Sequence, residues 1–167
     1  MEQLAFDSAT FVTFKDRTDR WVDVKHFQVR ARPEDDEQLL TTLISHEMYR
    51  DDYLGSDSWK DTESSVHGPY RLDALSATAF EGIDQATAFA TIRTWAEKYR
   101  ELSETVAQDL ENEVHQLIRT ATSCYRLKEL DEAARDDRLG WILGEFHELV
   151  LIDQHGGSLS LIVASDD

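Results

Sequence analysis

A chain of 167 residues that is 41% hydrophobic and 10% aromatic is long enough to bury one core, so the expectation is a folded single domain over 1–167 rather than disorder. Its 34 acidic residues against 17 basic ones give a formal charge of −17, with no basic cluster to neutralise phosphates, which disfavours direct nucleic-acid binding. The lone cysteine, Cys124, excludes a disulfide framework, and no apolar run approaches the roughly 20 residues of a membrane span.

The opening Met1-Glu2-Gln3-Leu4 has no basic region ahead of an apolar one, so no secretory signal is read and cytoplasmic residence is the expectation. From Thr10 to Ala31 the pattern is β. Phe11–Lys15 and Arg20–Val29 are rich in β-branched and aromatic residues and flank a polar turn at Asp16–Asp19, which reads as a hairpin. Pro33 ends it. Glu34, Asp35, Asp36 and Glu37 then open a helix with negative charge at the end its dipole favours. That helix is expected over Glu34–Tyr53, burying Leu39, Leu40, Leu43, Ile44, Met48 and Tyr49, and stopping at Gly55.

Gly55–Asp73 has no sustained period and reads as a long loop, of the kind that is often functional. It carries Trp59 and Tyr70, which either plug onto the core or face a partner as aromatic anchors. A short helical turn is expected over Leu72–Phe80.

From Ile83 to Leu139 the chain has neither glycine nor proline, and apolar residues recur at steps of three and four, which predicts helix. One helix of that length would run about 85 Å, against a radius of gyration of about 15 Å for a compact domain of this size. It must fold back or project as a stalk. Breaks compete near Ser103–Thr105, where Thr105 and Gln108 have capping-box spacing, and at Thr120–Ser123. Between them the stripe narrows to Val106, Leu110 and Val114, which also suits a coiled-coil seam, leaving a homodimer through these helices open.

After Gly140 the chain returns to β. Trp141–Leu143 leads through Gly144 to Glu145–Asp153, and Ser158–Ala164 comes back after a turn at Gln154–Gly157. Leu149–Ile152 is apolar on both faces, which places this hairpin centrally. The fold class is α+β: an antiparallel sheet built from an N-terminal and a C-terminal hairpin, packed against a helix and a long central helical segment that folds back.

Chemical signatures are sparse. His46-Glu47-Met48-Tyr49-Arg50 begins like a zinc helix, but Arg50 stands where the second histidine belongs. Glu145 and His147 are two apart on an expected strand and share a face, a geometry open to a divalent metal if His46, His67 or His155 supplied further ligands; a plain ion pair is the competing reading. Gly156-Gly157 has no following helix and so cradles no dinucleotide. No cofactor is expected, and the balance leans away from an enzyme.

Three readings of the chain remain. The first is a non-catalytic acidic interaction protein, with the physical character of an immunity protein or inhibitor, that binds a basic protein such as a nuclease. Glu34, Asp35, Asp36, Glu37, Asp51, Asp52, Trp59 and Tyr70 are its candidate contact residues. The second is a metal-dependent hydrolase or small-molecule-binding domain using Glu145 and His147. The third is a salt-adapted structural domain, consistent with Arg outnumbering Lys and Asp outnumbering Glu.

Overall fold

The computed structural model describes residues 3–15, 19–30, 35–54 and 65–166. A six-stranded antiparallel sheet forms the centre. Its strands are β1 (Leu4–Thr13), β2 (Arg20–Val29), β5 (Phe80–Ile83), β6 (Ser123–Leu127), β7 (Phe146–Asp153) and β8 (Ser158–Asp166), in the order β1-β2-β8-β7-β6-β5. The two terminal hairpins join where Arg20–Gln28 pairs with Ser158–Asp166, which puts the C-terminal hairpin in the middle as its two-sided apolar character predicts. A separate small hairpin is made by β3 (Val66–His67) and β4 (Tyr70–Arg71). Its turn uses Gly68 at φ +55, where a Cβ would also strike the Phe146 ring.

Paired residues share a face, so each side of the sheet is set by alternation. On one face Trp21 and Phe27 of β2 lie with Leu159, Leu161 and Val163 of β8 and with Val150 and Ile152 of β7. That face packs against α1 (Asp36–Ser45), the turn Glu47–Tyr49 and the β3–β4 hairpin. On the other, Val22, Val24, Leu149, Leu151, Ile162 and Ala164 pack under α2 (Gln85–Ala96), α3 (Glu104–Leu110) and α4 (Gln116–Thr120).

α3 and α4 are joined through a π-helical segment, Glu111–His115. The residues it brings to the core explain it. Val106, Leu110, Val114 and Ile118 are all buried and recur every four residues. At 3.6 residues per turn an α-helix would rotate that stripe by about 40° at each step. The wider π turn cancels the drift and keeps all four side chains on the sheet. The narrow stripe therefore has its partner within the chain.

Several expectations need correction. The span 83–139 is not helix throughout: both competing breaks occur, and β6 lies inside it. Ser103 caps α3 by accepting from Val106 N at 3.2 Å, and α4 stops at Thr120. β6 reads ambiguously because Cys124 faces one side of the sheet and Tyr125 and Leu127 the other, and pairing with β5 and β7 decides the matter. The helix expected over Glu34–Tyr53 is shorter, since the His46 ring accepts from Met48 N at 3.0 Å and starts a new turn. Strand β1 starts at Leu4, with an irregularity between Phe6 and Ser8, and β7 starts only at Phe146. Phe80 belongs to β5, after short turns at Leu72–Ala74 and Ala77–Ala79. Residues 16–18 of the turn expected at Asp16–Asp19, and 55–64 of the long loop, lie outside the described residues.

The π phase is open to test. In an unbroken α-helix Leu117 would continue the stripe; here Ile118 does. Ile118→Ala should cost about 2–5 kcal/mol in urea denaturation, and Leu117→Ala no more than about 1–2 kcal/mol.

Candidate functional site

α2, β5, β6 and the start of β7 border an open groove of about 1000 Å³. Helical spacing aims Thr87, Thr91 and Thr94 of α2 into it, Lys98 just past the helix end joins them, and strand pairing puts Glu81 opposite Arg126. The Arg126 guanidinium donates to Glu81 Oε1 at 2.9 and 2.8 Å and to Thr91 Oγ1 at 3.1 Å. At the other end Lys98 Nζ donates to Glu145 Oε2 at 3.0 Å, and His147 Nε2 lies 3.5 Å from Glu145 Oε1. The sequence-predicted pair is thus brought together.

Behind it is a residue the sequence did not advertise. Arg20 is only 2% exposed, enclosed between the rings of Trp95 and Tyr99, with Nη1 donating to the Trp95 carbonyl and Nη2 4.0 Å from Glu145 Oε2. Burial works to raise the Glu145 carboxyl, but Lys98 and His147 together hold it below its usual range. Burial, helped by Lys98 and Arg126, lowers the His147 imidazole against the pull of Glu145. The result at neutral pH is an ionised carboxylate shared among cations beside a neutral ring. Among the described residues no three His, Cys, Asp or Glu side chains group to hold a metal ion. His46 is used as a cap, His67 lies on the opposite face of the sheet and His155 is exposed in the β7–β8 turn.

That opposite face carries a second polar constellation, and it is closed. Lys25 of β2 is fully buried, with Nζ 2.7 Å from Asp51 Oδ2, 3.0 Å from Tyr53 OH and 3.5 Å from Asp23 Oδ2. Beside it His67 stacks flat on Tyr49, with ring centroids 3.6 Å apart. Its Nδ1 donates to the Tyr49 carbonyl at 2.6 Å and its Nε2 meets Glu148 Oε1, while Tyr49 OH donates to Glu148 Oε2 at 2.8 Å. Both ring nitrogens face oxygen atoms. Burial raises the Asp23 carboxyl, with Lys25 opposing. Such a network is chemically rich but sealed, and it ties the α1 layer and the β3–β4 hairpin to the sheet.

The acidic candidates divide. Asp35 caps α1 by accepting from Gln38 N at 2.9 Å, Glu37 is exposed, and Asp52 accepts from Leu54 N at 2.9 Å. Asp36 accepts from Tyr125 OH at 2.6 Å; burial and that carboxylate push the phenol up. Two candidates are corrected. Asp51 is 2% exposed because Lys25 needs its charge, and Tyr70 is 3% exposed because it packs on Phe146. Glu34 and Trp59 lie outside the described residues. Exposed carboxylates that the sequence reading passed over, Glu97, Glu101, Glu104 and Asp109, cluster around the α2–α3 connection; charge spacing alone did not separate them from the rest.

No family model matches the chain, and no curated protein matches it. Among solved structures, two crystal structures of citrus MAF1 align. One is 15% identical over 92% of this chain and 92% of its own, with a TM-score of 0.41. The other is 16% identical over 88% and 89%, with a TM-score of 0.37. A likeness at that level carries no function to this chain.

Two outcomes are expected. Asp51→Ala strands the Lys25 ammonium in the interior and should cost about 3–5 kcal/mol in urea denaturation, much of it recovered in the Lys25→Met/Asp51→Leu double variant. The His115 and His147 imidazoles are both held below 6.5, mainly by burial, so below that pH the unfolded chain binds more protons than the folded one. Stability should be full above about pH 6.5 and fall as pH drops below it. Melting curves at about pH 7.5 and 5.5 should differ less in the His115→Gln/His147→Gln variant than in the parent.

Proposed function

We propose that this chain is a non-catalytic binding protein whose acidic surface engages a basic protein partner. The observation that carries the reading is where the charge goes. Each internal ion pair removes one cation with one carboxylate, and the buried charges are nearly balanced: Arg20 and Lys25 against Asp23, Asp51 and Glu148. Among the described residues the excess of acidic over basic side chains is therefore left outside. Glu97, Glu101, Glu104 and Asp109 are exposed and enter no ion pair among the described residues, and the same holds for Glu129, Asp131, Glu132 and Asp137. Surfaces of one sign speed encounter with partners of the other and suppress wrong ones. The acid–base constellation on the α1 side of the sheet supports the same reading, because His67, Glu148, Lys25 and Asp51 are enclosed where a substrate has no access.

Affinity capture from the native host, followed by titration of the retained protein, tests this. A partner with a pI above about 9 is expected, its affinity falling at least tenfold between about 50 and 300 mM salt and falling again in the Glu97→Lys/Glu101→Lys/Glu104→Lys variant. An acidic partner, or one indifferent to salt, would sink the proposal.

A further inference from the structure

A second cleft, of about 570 Å³, lies between α2 and the π-helical segment, within the range of small-molecule sites. α2 lends it Ala86, Phe89, Ala90 and Arg93 at helical spacing. From the other wall come Glu111, His115 and Arg119, spaced by four; the π turn that holds the neighbouring stripe on the sheet holds these three in line. The two alanines leave room beside the flat Phe89 ring. We propose that this cleft binds a small anion with a flat apolar body, an aryl carboxylate or aryl phosphate.

The charge distribution argues for an anion. In a chain at −17, two guanidinium groups and an imidazole line one cleft against a single carboxylate. Glu111 is occupied by both Arg119, with Nη2 at 3.0 Å from Oε2, and His115, with Nδ1 at 3.3 Å. Arg93 is exposed and enters no ion pair among the described residues. Arg119, clamped by Glu111, lies 5.6 Å over the Phe89 ring, and the His115 ring meets Phe89 edge-on at 5.5 Å. This makes a preorganised cationic rim on an apolar wall, the combination that positions an anionic head and an aromatic body. His115 Nε2 is enclosed without a hydrogen-bond partner among the described residues. Such an orphan is uncommon in a finished interior. Burial, with Arg119 and Arg93, lowers this imidazole against the pull of Glu111, and an anion in the cleft would favour its protonated form.

Titration of the full chain with sodium benzoate, phenyl phosphate, acetate and inorganic phosphate, followed by amide NMR shifts, is the test. Saturable shifts confined to residues 85–96 and 111–120 are expected with one or both aryl anions, the tighter one naming the head group. Acetate and inorganic phosphate should bind at least about tenfold more weakly. Arg93→Gln, on an exposed helical position that leaves the fold intact, should weaken the aryl anions about tenfold, and Phe89→Leu should erase their advantage over acetate and phosphate. No saturation by about 10 mM, shifts centred elsewhere, or unchanged affinity in Arg93→Gln would overturn the proposal.

Discussion

A fully buried lysine sets the terms for one half of this molecule. Lys25 projects from β2, an interior strand, into an apolar layer, and its ammonium can exist there only because Asp51, Tyr53 and Asp23 surround it. Asp51 comes from the segment after α1, and its backbone also bonds Val66 and Gly68 of the small hairpin. One charge thus obliges three separate pieces of chain to meet. The His67–Glu148–Tyr49 cluster beside it repeats the arrangement from the other direction, with the ring on the hairpin and the carboxylate on β7. This layer has little regular secondary structure, and polar pairing supplies the specificity that a helix face would otherwise provide.

The opposite half is organised by packing. There α2 and the α3–π–α4 rod lay apolar stripes on the sheet, and a four-residue repeat forces the rod to widen at its middle. Widening has a second effect. It brings Glu111, His115 and Arg119 onto the flank that faces α2, where they line a cleft rather than scatter around the helix. A demand made by the core thereby shapes the surface.

Electrostatics ties the two halves together. The interior takes charges almost in balance, so the acidity of the described residues is expressed outward, around the α2–α3 connection and along the segment before β7. Against that background the few cation-lined places stand out as local reversals of sign: the groove holding Glu145, His147, Lys98 and Arg126, and the cleft holding Arg93 and Arg119. In the first Lys98 and Arg126 are held by Glu145 and Glu81; in the second Arg93 enters no ion pair among the described residues.

Much of the α+β architecture was legible in the chain. Leu149–Ile152, apolar on both faces, identified a central strand and Ser158–Ala164 its hairpin partner; Arg20–Val29 was legible as a strand of the N-terminal hairpin; Ser103 marked a real break. The Glu145–His147 pairing was legible too, because two-residue spacing on or beside a strand puts side chains together. β6 was not, since five residues with apolar groups on both sides satisfy helical and strand periods alike.

The periodic elements, the net charge and the local pairings follow from spacing along one chain. Long-range contacts settled that Asp51 and Tyr70 go inside, that Arg20 and Lys25 are buried cations and that Arg93 and Arg119 line one cleft. Each of those depends on what lies across a contact between residues far apart in the chain, and a side chain's burial or partner has no signature until that contact is made.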